Sequence, residues 1–169
     1  MSKQSNALVS LSVLSSALLI ATVVKSTAGA PDAALEGVWR TVEVVVQSPT
    51  PQTFKPGATL AVFHGRHYSR VEVHAEGPRP VLKDPAAASA DELRAVWGPF
   101  VGEAGTFELS GKNLVTMQAM VAKNPAAMTN GATSVYTYQR SGDTLTLTQV
   151  RTHVGPVPAP VAIKLVRVE

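Results

Sequence analysis

The feature that most constrains the fold of this chain is a two-residue alternation of apolar and polar side chains, which begins after Pro31. Glycine, proline and asparagine interrupt the alternation, and three short interruptions, at 64–66, 110–112 and 141–143, have the composition of hairpin turns. The segments between them predict about eight strands. Because most of these strands are joined at hairpin spacing, the pattern predicts a single antiparallel barrel or sandwich.

One helix is predicted within this series of strands. Ser89 and Glu92 have the spacing of a capping box, in which the serine hydroxyl and the glutamate each bind a backbone amide of the other. Apolar side chains then recur on one helical face, at Leu93, Val96, Trp97 and Phe100. We expect this apolar face to lie against an open end or a wall of the barrel.

Residues 1–28 have the composition of a secretory signal peptide. Lys3 precedes an uninterrupted run of small and apolar residues, and small residues lead up to Ala28. This predicts cleavage after Ala28, a linker at 29–34 and a barrel domain at 35–169, in a protein exported to the bacterial periplasm or the medium. The run also approaches the length that spans a bilayer, so an uncleaved membrane anchor is the alternative.

Composition excludes several classes of function. The chain has no cysteine, which excludes disulfides, thiol nucleophiles and a lipid-modified cysteine. Removing Lys3 and Lys25 with the signal peptide lowers the net charge from +3 to +1, and the aromatic residues are not interleaved with Lys and Arg. Nucleic acid is therefore not an expected partner. Neither a nucleophile elbow nor a lysine-containing phosphate loop is present.

A metal site is also not expected. His64 and His67 form an H-x-x-H pattern, but it straddles a predicted hairpin turn rather than a helical face. No nearby acid completes the three or four protein ligands that zinc usually requires. We therefore predict no metal and no other cofactor.

Three residues predict how one end of the barrel is closed. Trp39, near the start of the first strand, is expected to point inward and fill that end, while Gly37 allows the backbone to pack closely beside it. Arg167 near the end of the last strand is placed to lie over the indole face.

The order of these segments resembles the bacterial lipocalin-like domain family, a group of calycin-type barrels. The resemblance covers residues 35–169 and includes "LAVFHGRHYSRVEV", "DELRAVWGPFVGEAGTFEL" and "YTYQRSGDTLTLT". It implies an up-and-down barrel around a cavity, often one that holds a small apolar ligand. His67 stands where the family usually has a turn glycine, which leaves the turn type open.

The candidate cavity residues are a carboxylate and a group of aromatic and methionine side chains: Glu43, Tyr68, Trp97, Phe100, Met117, Tyr136 and Tyr138. Alternation from an inward Trp39 places Glu43 inside, but then the outer face of the strand is the more apolar one. Either a β-bulge shifts the register, or the helix or a second subunit covers that face. On the strand 67–74, alternation favours Val71 and Val73 in the core, with the polar set that begins at Tyr68 outside.

Three functions are compatible with this sequence. The first is binding of a small, largely apolar molecule in the barrel cavity. The second is an isomerase or cyclase in which Glu43 or a histidine moves a proton. The third is an interaction module, such as a homodimer, formed through the apolar face of the first strand.

Overall fold

The computed structural model describes residues 34–75, 77–152 and 154–169, so the predicted signal peptide lies outside the described residues. The elements in the described part are β1 (Gly37–Val46), β2 (Gln52–Phe54), β3 (Thr59–His64), β4 (His67–Val73), α1 (Ala90–Trp97), β5 (Phe100–Ser110), β6 (Leu114–Ala122), a 3-10 helix (Pro125–Met128), β7 (Ser134–Ser141), β8 (Thr144–Thr152) and β9 (Gly155–Arg167). Within this part of the chain, no helix has the length and apolar character needed to cross a membrane.

Eight of the strands form a closed antiparallel barrel. β1 pairs with β3, each later strand pairs with the next, and β9 returns to pair with β1. The short β2 adds three residue pairs to the end of β1. This architecture confirms the predicted eight-stranded up-and-down, lipocalin-like barrel with one α-helix.

The two ends of the barrel differ in their connections. Three tight hairpins, β3–β4, β5–β6 and β7–β8, lie at one end. His64 pairs with His67 across the first of them, and Gly65 has a φ of +59°, so this turn has its glycine at 65 rather than at 67. The longer connections, at 47–58, 74–99 and 123–133, lie at the opposite end.

The hairpin end is closed by Trp39, which is completely buried and donates a hydrogen bond from Nε1 to the carbonyl of Leu35 (2.8 Å). The guanidinium groups of Arg140 and Arg167 lie 5.4 and 5.2 Å from the centre of the ring. Gly37 has a φ of +135°, and a Cβ at this position would lie 2.6 Å from Nη2 of Arg167. Glycine at 37 therefore leaves room for the cation that covers the indole.

β1 contains a bulge that reverses its two faces. Its pairing with β9 shifts between Thr41 and Glu43, so Thr41 and then Val44 are buried, at 3% and 2% exposure. Of the two alternatives that the sequence left open, the structure shows the bulge. Val44 and Val46 face the inside, and Glu43 is placed outside, opposite Lys164. The apolar face on which the homodimer hypothesis depended is thus partly turned into the barrel.

β4 presents its polar face to the barrel interior. Tyr68 and Glu72 are buried, at 4% and 0% exposure, whereas Val71 on the opposite face is 43% exposed. The prediction that Val71 and Val73 lie in the core, with the polar residues outside, is therefore wrong. The physical reason is that the inward charges hydrogen-bond to one another, so they can be buried without being left unpaired.

The helix α1 begins with the predicted capping box, in which Ser89 and Glu92 bind each other's backbone amides. None of its residues is buried. Trp97 is 53% exposed and packs edge-on against Phe100, with ring centres 6.1 Å apart. The helix therefore does not fill an end of the barrel.

Candidate ligand-binding site

The half of the barrel away from Trp39 contains a cavity of about 470 Å³. Its walls come from both sides of the barrel, because β1, β4, β5, β7, β8 and β9 all contribute side chains. All three long connections also contribute, through Phe54 from the 47–58 segment, His74 from the 74–99 segment and Ala127 from the 3-10 helix. No residue of α1 lines the cavity.

The cavity wall has an apolar part and a polar part. The apolar part includes Val44, Val46, Phe54, Ala127, Val161 and Ile163. The polar part includes Arg70, His74, Glu103, Ser134, Tyr136 and Gln149. Such a mixture suits a mostly apolar molecule whose orientation is fixed by a few polar contacts.

Glu72 lies behind the cavity wall and is hydrogen-bonded to His74 of the polar part. Its side chain is 1% exposed, and both oxygens are engaged: Thr41 donates to Oε1 (2.9 Å), and Nε2 of His74 lies 2.7 Å from Oε2. Burial by itself raises the pKa of this carboxyl. The hydrogen bonds from His74 and Thr41 and the charge of Arg70 outweigh burial and hold the pKa of Glu72 below its ordinary value. Glu72 is therefore a carboxylate at neutral pH.

Arg70 and Glu103 form an ion pair across β4 and β5. Nη2 of Arg70 lies 3.1 Å from Oε1 of Glu103, and the two side chains are only 15% and 19% exposed. Burial lowers the pKa of Arg70, but Tyr136, Glu103 and Glu72 raise it by more, so the guanidinium stays charged. The cation of the polar wall is thus already balanced by a neighbouring acid.

Tyr136 completes the polar wall. Its hydroxyl accepts a hydrogen bond from Nε2 of Gln149 (3.3 Å) and lies within the influence of the Arg70 charge. Burial raises the pKa of Tyr136 above its ordinary value. The phenol therefore stays protonated, and its hydrogen is available to donate into the cavity.

Four of the seven predicted cavity residues lie at the cavity or in the core next to it. Tyr136 lines the cavity itself. Tyr68 and Met117 are buried below it, beside Glu103, where burial also raises the pKa of Tyr68. Tyr138 packs against the core as a half-buried side chain.

The remaining candidates lie away from the cavity. Phe100 lines a groove on the outer surface, together with Val71, Gly102 and Val121, and Trp97 packs beside it. Glu43 lies in an outer depression at the bulge, with Lys55 and Lys164 nearby. The bulge that moves Val44 inward is what places Glu43 there.

The two turn histidines lie at the opposite end from the cavity. Nδ1 of His64 is 2.6 Å from Oε1 of Glu36, so this histidine is paired with an acid rather than with His67. In the described part of the chain, no three His, Cys, Asp or Glu side chains come together in a way that could hold a metal ion.

Sequence reasoning did not select Arg70, His74, Glu103 or Gln149 for the site. A signal was present for the first two, because both follow Tyr68 at even spacing, Arg70 within β4 and His74 directly after it, and therefore share its face. Glu103 and Gln149 gave no such signal. Both lie next to irregular pairings, where β5 and β8 shift register at Ala104/Gly105 and Gln149/Arg151.

The fold and the cavity together define a lipocalin-like barrel with one closed end and one cavity-bearing end. No protein-family model matches the chain, and none of the curated proteins matches it. Among solved structures, it is similar to a lipocalin-like protein from Bacteroides uniformis ATCC 8492, with 14% identity and a TM-score of 0.43 over 78% of this chain and 96% of that chain. The fold assignment rests on the closed barrel itself.

Proposed function

We propose that this protein is exported and binds a small, largely apolar molecule in the barrel cavity. The observation that carries the proposal is the cavity of about 470 Å³, which combines an apolar wall with a polar cluster at fixed positions. Burial of the apolar body of a ligand would supply most of the affinity, at about 25 cal/mol per Å². The polar cluster would set its orientation.

A substitution that fills the cavity tests this function. Ala127 lines the cavity from the 3-10 helix, so tryptophan at this position would occupy the space that a ligand needs. We expect Ala127→Trp to weaken binding of the neutral fluorescent probe N-phenyl-1-naphthylamine by about tenfold or more. The measurement is a fluorescence titration of the protein with the probe.

The matched control is Val121→Trp, which adds the same side chain to the outer groove, where Val121 is 60% exposed. This variant is expected to bind the probe as the unmodified protein does. Loss of binding in Val121→Trp but not in Ala127→Trp would place the probe in the outer groove and contradict binding in the cavity.

Proton transfer is a second candidate function, favoured by the hydrogen bond between His74 and Glu72. Because Glu72 is a carboxylate, Nε2 of His74 carries the hydrogen of this 2.7 Å contact, so Nδ1 is the ring nitrogen that can take up a proton. A carboxylate that orients a histidine in this way is a common arrangement for general-base chemistry. Glu43, the carboxylate proposed from the sequence, does not line the cavity, so this role passes to His74.

Exchange of carbon-bound hydrogen tests the second function. Phenylacetone, a neutral aromatic ketone, is incubated with the protein in deuterated buffer, and deuterium uptake is followed by mass spectrometry. If His74 abstracts a proton, His74→Gln should lower the protein-dependent exchange rate by about 100-fold. Equal rates in His74→Gln and the unmodified protein would contradict proton transfer at this site.

A further inference from the structure

The charges around the cavity leave no free cation for an acidic ligand. Among the described residues of the polar cluster, Arg70 faces two carboxylates, Glu103 at 3.1 Å and Glu72, which acts on it through space. His74 is the remaining basic group, and it is already bonded to Glu72. The formal charges of Arg70, Glu72 and Glu103 therefore sum to one net negative charge.

Two hydrogen-bonding groups of the polar wall are placed to meet a neutral ligand, one as a donor and one as an acceptor. Tyr136 accepts from Gln149, and among the described residues its own hydroxyl hydrogen has no acceptor, so it can donate to a ligand. Nδ1 of His74 has no hydrogen-bond partner among the residues that the structure describes, and the side chain is 32% exposed toward the cavity that it lines. A hydroxyl or a carbonyl group matches such a site, because either one can be bonded without adding charge.

Arg70 offers no additional contact. Its Nε is buried without a hydrogen-bond partner, but this atom is inaccessible, so a ligand in the cavity cannot reach it while the side chain stays in place. The end of the guanidinium that faces the polar wall is engaged by Glu103. A carboxylate entering the cavity would therefore meet two like charges and a cation that is already paired.

We propose that the cavity selects a neutral ligand that carries a hydroxyl or carbonyl group and discriminates against a carboxylate of the same size. This inference rests on the proposed binding function and defines the chemical class of its ligand. Glu103 is the discriminating residue, because its charge neutralises the one guanidinium that an acidic ligand would otherwise bind.

The test compares 1-decanol with decanoate, which share an apolar chain and differ in the polar group. Each is used to displace N-phenyl-1-naphthylamine from the full-length protein at pH 8. The unmodified protein is expected to bind 1-decanol more tightly than decanoate by about tenfold. In Glu103→Gln, Arg70 is released from its partner, and the affinity for decanoate is expected to rise by about tenfold relative to that for 1-decanol.

Glu108→Gln is the matched control. It removes the same charge from the same strand, but Glu108 is 71% exposed and pairs with Arg66 outside the barrel. Its ratio of decanol to decanoate affinity should equal that of the unmodified protein. Each result is a ratio of the two ligand affinities within one variant, so partial unfolding of Glu103→Gln affects both ligands equally. The comparison of 1-decanol with decanoate in the unmodified protein does not depend on any variant.

The possible outcomes separate the two proposals. Tighter binding of decanoate by the unmodified protein, or an unchanged ratio in Glu103→Gln, would overturn the selection for neutral ligands and leave the binding function standing. If neither compound displaces the probe, and Ala127→Trp does not weaken binding of the probe, both the selection for neutral ligands and the binding function would be overturned.

Discussion

Replacing Trp39 with alanine is expected to destabilise the barrel by about 3–5 kcal/mol, the usual cost of removing a buried aromatic side chain. Trp39 is 0% exposed and closes the hairpin end. The substitution would also remove the hydrogen bond to Leu35 and the ring that Arg140 and Arg167 cover. Measurement of the urea midpoint and slope gives the change in the free energy of unfolding.

The chain supplies its own control, since its other tryptophan is on the surface. Trp97 is 53% exposed and contacts Phe100 edge-on, so Trp97→Ala is expected to cost less than about 1 kcal/mol. Similar costs for the two substitutions would contradict the assignment of Trp39 as the residue that closes the barrel.

The fold was predictable because its signals are local. Two-residue alternation predicted the strands, and short glycine-containing interruptions marked the three hairpin turns, where Gly65, Gly111 and Gly142 all have positive φ. The early part of β9 is not predictable in this way, because Pro156, Pro158 and Pro160 argue against a strand. β1 pairs with β9 only as far as Val161, and beyond it Pro160 takes part through its carbonyl, which accepts from the amide of Gln47 (2.8 Å), so this contact needs no proline N–H.

The candidate site was less predictable because it depends on long-range register. The sequence left open either a bulge or a covered outer face, and nothing at Val42 or Glu43 decides between them. One extra residue there exchanged the faces of the rest of β1. On β4, an inward Tyr68 implies an inward Arg70 and Glu72 by alternation, but general hydrophobicity favoured the opposite face. The inward orientation of this face of β4 depends on partners on other strands, Thr41 and Glu103, and a single sequence does not reveal these pairings.

Replacing Glu72 with glutamine is expected to destabilise the protein at pH 7 by about 3 kcal/mol, because Arg70 loses a compensating charge in a buried site. The cost should depend on pH. Hydrogen bonds and the charge of Arg70 hold the pKa of Glu72 below its ordinary value despite burial, so the folded state binds its proton less readily than the unfolded state. The stabilisation is thus fully present above about pH 4.3 and is lost as the pH falls through the folded-state pKa.

Glutamine at position 72 does not ionise, so its contribution to stability does not change with pH in this way. The difference in unfolding free energy between the unmodified protein and Glu72→Gln should therefore be largest at neutral pH and shrink on acidification below about pH 4.3. Urea titrations across this range measure the difference, with the exposed Glu108→Gln as the control expected to change little at any pH. A difference that stays constant down to the acid transition would show that Glu72 acts through packing alone. A shrinking difference would show that the ionised carboxylate holds the polar wall of the cavity together, and with it the charge balance on which the choice of ligand depends.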